Sequence, residues 1–154
     1  MQRLLIPVLL FISFTAIPHS AAYDEAADAR RDIAGALQAA QASHQRVLLI
    51  FGANWCADCR ALDASLSDTR NAALLAKEFR VVKIDVGDWD KNQDLEAAYG
   101  HPTKGGIPAA VIVTPDNQVL YSTKAGELCN ARRMNADGVY GFFSGVLAQV
   151  AATH

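Results

Sequence analysis

The fold class this sequence predicts is α/β: a mixed central sheet covered by helices on both faces, with an extra helix ahead of the first strand. Two observations point there. Apolar or β-branched runs of strand length alternate with segments of helical period, and the last two strand-like runs are separated only by a turn. A third observation locates the chemistry: Cys56 and Cys59 form a C-x-x-C pair between an unbroken apolar run and the start of a helical pattern.

The chain has 154 residues, room for one domain, and its 51% hydrophobic and 19% charged content describes a packed globular protein. A formal net charge of −2 and the lack of any Lys/Arg run argue against nucleic acid as a partner. Residues 1–22 read as a secretory signal: Arg3, an apolar run from Leu4 to Ile17, then small residues Ser20 and Ala22 before a mature start at Tyr23. The run is short for a membrane span, so a retained anchor is the weaker alternative. The expected domain is therefore 23–154, exported to a periplasm, where disulfides persist unless they are actively reduced.

Tyr23 to Ser43 has a helical stripe of Ala26, Ala29, Ile33, Leu37 and Ala40, with Asp24, Glu25 and Asp28 in the first turn, where the helix dipole favours acid. Val47 to Phe51 is an unbroken apolar strand. A helix follows from about Cys56; "SDTRN" interrupts or kinks it, and "AALLAKEF" resumes it to Phe79. Arg80 to Val86 is a β-branched strand, and a short helix with Leu95, Ala98 and Tyr99 on one side closes at Gly100. After the loop "HPTKGG", "IPAAVIVT" is a strand with proline near its start; "PDNQ" turns the chain and "VLYST" pairs back. "KAGELCNARRMN" has no assigned structure. The final helix starts near Asn135, a good N-cap, with an apolar stripe of Val139, Phe142, Phe143, Val146, Leu147 and Val150.

A helix N-terminus presents unpaired N–H groups and the positive end of the dipole, so a cysteine there is stabilised as a thiolate. That makes Cys56 the candidate nucleophile, with Cys59 one turn later to attack a mixed disulfide from within. Other uses of two cysteines fit less well. A structural zinc site needs four ligands and the chain has one further cysteine, Cys129; haem attachment needs His where Arg60 stands. A Cu(I)-holding, non-catalytic delivery module using the same pair is the rival from another class. His44 and His101 have no suitably spaced partners. Cys129, the odd cysteine, reads as a partly buried small residue.

Together, "NWCADC", "VVKIDV" and "GGIPAAVIVTPDNQVLY" resemble the thioredoxin signature, its next strand and its proline-containing hairpin. The resemblance covers most of Val47 to Val150 and implies a thioredoxin fold. It also implies a cis-proline at Pro108 facing the dithiol, the backbone of Ile107 pairing with an extended substrate, and Trp55 lining the site. Lys83 aligns with a family lysine that could serve the second cysteine, against the simpler reading of a solvated strand-end charge. The buried acid of thioredoxin is here Ile50, and a tryptophan common at the strand exit is Gly52. The Ala57–Asp58 dipeptide lacks the histidine of strong oxidants, and Asp58 places a negative charge beside Cys56. The motif looks more like the exported reducing branch, including the thioredoxin-like domains of thiol-disulfide interchange proteins. The implied activity is a thiol–disulfide oxidoreductase of protein-disulfide reductase type, with no cofactor. Its expected partners are disulfide-bearing exported proteins and a thiol electron donor such as a membrane carrier; a monomer is expected.

Overall fold

The computed structural model describes residues 21–152. Most of the expected signal segment, residues 1–20, and the last two residues lie outside the described residues. Among the described residues no helix is long and apolar enough to cross a membrane.

Helix α1 (Ala29–Ser43) leads into β1 (Arg46–Gly52), followed by α2 (Ala57–Leu66), α3 (Thr69–Glu78) and β2 (Phe79–Asp85). After α4 (Gln93–Ala98) come β3 (Ala109–Val113), β4 (Val119–Ser122) and α5 (Ala136–Ala152). The sheet order is β2-β1-β3-β4, with β1 parallel to β2 and both remaining pairs antiparallel. This is the mixed, helix-flanked sheet with a leading helix that the sequence predicts.

The order follows from burial. Residues 47–51 of β1 are all buried, as a strand with neighbours on both edges and helices on both faces must be. β3 is likewise buried throughout, whereas β2 mixes buried and exposed positions and β4 is mostly half-exposed, as suits edge strands. α5 packs Val139, Phe143, Val146 and Val150 into the core. Asn135 caps it as expected, its Oδ1 accepting from Gly138 N at 2.8 Å.

Several details differ from the sequence reading. α1 begins at Ala29 and not Tyr23: Asp28 is its N-cap, accepting from Arg31 N at 3.1 Å, so Ala26 falls outside the helix and is exposed. Asp24 and Glu25, assigned to a first turn, instead lie in a separate turn, with Asp24 Oδ1 accepting from Ala26 N. "SDTRN" breaks the helix completely, because Asp68 caps a new one through Arg70 N. β2 starts at Phe79, one residue earlier than expected. The unassigned connector holds a short 3-10 turn at Ala131–Arg133, with Leu128 and Ala131 wholly buried.

Candidate active site

β1 ends at Gly52, and 53–55 carry the chain across the top of the sheet to Cys56, the N-cap of α2. Its extended backbone (φ −76°, ψ 116°) frees the side chain to cap, and Sγ accepts from Cys59 N at 3.2 Å. A sulfur thus occupies the place usually taken by a Ser or Asp oxygen, facing the unpaired N–H groups of the first turn. Both cysteines are free thiols. Cys56 is 7% exposed, and Cys59 is wholly buried. Burial, and next the hydrogen bond with Cys56, pushes the Cys59 thiol far above its ordinary value. The pair therefore combines one sulfur that collects N–H contacts with another held in its protonated form.

The Ile107–Pro108 peptide bond is cis, and Ile107 O lies 3.7 Å from Cys56 Sγ, within range to accept from the thiol. Both residues are buried, at the mouth of β3. The preceding loop, expected to be irregular, forms a 3-10 turn at Pro102–Gly105. Buried Glu96 clamps it: Oε1 accepts from Thr103 Oγ1 at 2.8 Å, and Oε2 meets His101 Nδ1 at 2.7 Å. Cys129 packs under this loop and donates to Gly105 O at 3.5 Å. A Cβ on Gly106 would lie 2.8 Å from that sulfur, and φ there is +114°, so glycine is required on both counts. Cys129 is partly buried, as its bland reading has it.

Trp55 is 52% exposed, with its Nε1 donating to Gly87 O at 2.8 Å. Its ring meets that of Trp89, also exposed, at a centroid distance of 6.1 Å. Ala57 opens α2 and is exposed. Asp58 does not stand as an isolated charge beside Cys56. Its Oδ1 accepts from Arg132 N at 2.9 Å, with Arg132 Nε at 3.7 Å, which ties α2 to the connector. The carboxylate expected to oppose Cys56 alone thus has a cation beside it. Lys83 is not a freely solvated strand-end charge, nor is it bonded to Cys59. Its Nζ donates to Asp63, one helical turn beyond Cys59.

Tyr23, read from sequence only as a chain start, belongs to the same cluster. It is 2% exposed, and its hydroxyl and the Cys59 sulfur border the same gap beside Gly52. The ring lies over Gly52: a Cβ there would fall 2.2 Å from the Tyr23 hydroxyl oxygen and 2.9 Å from Cys59 Sγ. Asn54 fixes the segment, Oδ1 accepting from Tyr23 N and Nδ2 donating to Tyr23 O, both at 2.9 Å. Sequence reasoning missed Tyr23, Asn54, Trp89 and Arg132. One signal was present, the glycine at the position where thioredoxins commonly keep tryptophan. It leaves a gap that another side chain must fill.

Among the described residues no three His, Cys, Asp or Glu side chains gather as a metal site, and the atom opposite Cys56 is a carbonyl oxygen, a hard ligand for Cu(I).

The family model described as thioredoxin-like matches residues 27–115. The disulphide isomerase from Xylella fastidiosa Temecula1 is 54% identical, with a TM-score of 0.80 over 81% of this chain and 95% of that one. A thioredoxin from Thermus thermophilus is 27% identical, with a TM-score of 0.47 over 64% of this chain and 80% of its own. The oxidised C-terminal domain of Neisseria meningitidis DsbD is 24% identical, with a TM-score of 0.46 over 71% of this chain and 97% of its own. No curated protein matches.

Proposed function

The chain belongs to the thioredoxin-like family, and on that premise we propose that it reduces or isomerises disulfides of exported proteins through Cys56 and Cys59. The observation that carries this reading is the environment of Cys56: sulfur at the N-terminus of α2, Cys59 N–H on one side, the Ile107 carbonyl on the other. The Cys56 thiolate attacks a substrate disulfide. A Cys56–substrate bond forms, the substrate S–S bond breaks, and the departing sulfur leaves as a thiolate and takes up a proton. Cys59 then attacks Cys56 Sγ, releasing the second substrate thiol and leaving an intramolecular disulfide. If another substrate thiol attacks the mixed disulfide first, the outcome is isomerisation.

An extended substrate segment pairs with the backbone at Ile107, Pro108 keeps that edge open, and exposed Trp55 supplies an apolar wall. Asp58 and Lys83 act on the dithiol through their ion-pair partners Arg132 and Asp63, and Ala57 leaves the approach to Cys56 unobstructed. Two electrons from another thiol protein, such as a membrane carrier, return the pair to the dithiol. The Xylella relative bears the name disulphide isomerase, and a signal-like segment at residues 1–22 fits export, both in keeping with this reading. The protein acts as a monomer in the periplasm.

Purified protein lacking residues 1–22 is expected to reduce insulin disulfides with dithiothreitol as electron source and to reactivate scrambled ribonuclease. Cys56→Ser is expected to abolish both. Equal rates for wild type and variant would reject the proposal.

A further inference from the structure

Resting on the thiol–disulfide reading above, we propose that the Tyr23 hydroxyl donates a hydrogen bond to Cys59 Sγ as that sulfur ionises. Tyr23 is then a positioning residue of the resolving step.

Cys59 is wholly buried, so the solvent that ordinarily stabilises a forming thiolate is excluded from it. The Ala53 backbone already bonds to this sulfur, and the side-chain polar group that stands beside it is the Tyr23 hydroxyl. The ring reaches it because Gly52 has no side chain; a single Cβ would fall 2.2 Å from the hydroxyl oxygen and 2.5 Å from Cζ. The position is held from the backbone as well. Asn54, two residues before Cys56, exchanges two hydrogen bonds with the main chain of Tyr23, and its Nδ2 also donates to Glu25 Oε1 at 3.0 Å. Arg60 fixes the same loop through a 2.7 Å bond to Asn54 O. The segment before α1 is thus built into the dithiol turn.

The charged and titratable groups facing the Tyr23 hydroxyl are Cys59, Cys56 and Asp63, and Asp63 is itself paired with Lys83. Burial first, then the neighbouring sulfurs, raise the phenol's own pKa, so it stays protonated as a donor wherever the enzyme works. In the resolving step the Cys59 sulfur bonds to Cys56 Sγ as the Cys56–substrate S–S bond breaks. The electron pair leaves on the substrate sulfur, and that sulfur ends as a thiol carrying the equivalent of the proton Cys59 gave up. Tyr23 is unchanged at the end. Its bond strengthens as charge builds on Cys59, so it favours the ionised sulfur over the neutral one.

The test uses an aryl bis(nitrobenzoate) disulfide added to the reduced protein carrying Cys129→Ser, which removes the third free thiol. Cys56 releases one coloured thiolate on attack, and Cys59 releases the second on resolution, so the two steps are read separately. Tyr23→Phe should leave the first release unchanged and slow the second by about tenfold, the order expected for a hydrogen bond to a charged group. Replacing Tyr23 with fluorotyrosines of graded acidity should speed the second release in step with phenol acidity, an ordering that a purely structural role would not produce. That series also decides the matter if the phenylalanine variant does not fold. Second-release rates insensitive to both replacements would overturn the proposal. Failure of the wild type to give the first release would overturn the thiol–disulfide reading and this inference with it.

Discussion

Gly52→Ala tests the architecture of the dithiol turn most directly. Two effects oppose each other. Alanine in place of glycine restricts the unfolded chain and ordinarily stabilises by about 0.4–1 kcal/mol where the native backbone suits it. Against this, the new methyl would sit 2.2 Å from the Tyr23 hydroxyl, 2.5 Å from its Cζ and 2.9 Å from Cys59 Sγ. Inserting a methyl into a well-packed interior costs about 1–3 kcal/mol, and the upper end applies because Asn54 pins Tyr23 at its backbone. The net expectation is a loss of about 2 kcal/mol, or roughly 5–8 °C in Tm for a domain of this size. Urea unfolding followed by circular dichroism measures it. The decisive arm is a double-mutant cycle with Tyr23→Ala, which alone should cost about 3–5 kcal/mol. With the ring gone, the Gly52→Ala penalty should fall below about 1 kcal/mol, leaving only the Cys59 contact and a coupling well above the additive limit. Costs that simply add would refute the claim that Tyr23 occupies the space Gly52 leaves open.

Stability should also fall in alkaline solution. Cys59 and Tyr23 have pKa values raised above their ordinary 9.0 and 10.0, so the folded state keeps protons that the unfolded state releases. Their contribution is complete below about pH 9 and is lost as pH rises towards the folded values, by about 1.4 kcal/mol per pH unit for each group that titrates only when unfolded. Urea midpoints between about pH 8 and 10 check this, and a profile unchanged by Cys59→Ala counts against it. For Cys129, whose thiol donates to Gly105 O, serine retains a donor at the same place. Cys129→Ser should leave insulin turnover and the monomer–dimer balance nearly unchanged, and a clear loss of turnover would show that this thiol takes part in the chemistry.

Local patterns carried much of the fold. The apolar run of β1, the β-branched β2 and the Asn135 cap each announce their element within a few residues, because strand burial and capping are short-range effects. The start of α1 was misread for an equally physical reason. Tyr23 to Asp28 has helical composition and acids suited to a first turn, but two long-range hydrogen bonds to Asn54 hold Tyr23 in a bend against the dithiol turn, and Asp28 is left to begin the helix. Spacing alone also found Cys56 and Cys59. It could not find Arg132, which lies 74 residues from Asp58 in sequence and meets it only because the connector docks on α2. Lys83 and Asp63 are 20 residues apart, and the sequence reading treated Lys83 without its partner.

Those partnerships change how the two cysteines divide their work. Cys56 and Cys59 share one helical turn, in which the N-cap position already favours Cys56 as the first to ionise. Their surroundings sharpen the division. Cys56 receives a backbone N–H and stands at the rim of α2, where an incoming disulfide can reach it. Cys59 lies beneath it, wholly buried, and its thiol is pushed up by desolvation. A sulfur that is hard to ionise makes a poor first nucleophile, so the pair has a built-in order of attack. The same burial would stall the second step if nothing compensated for it. The Tyr23 hydroxyl shares the gap at Gly52 with the Cys59 sulfur, so its help falls on the step that burial hinders. The gap at Gly52 and the two-bond Asn54 clamp therefore serve one end: they bring a neutral donor to the sulfur that water cannot reach.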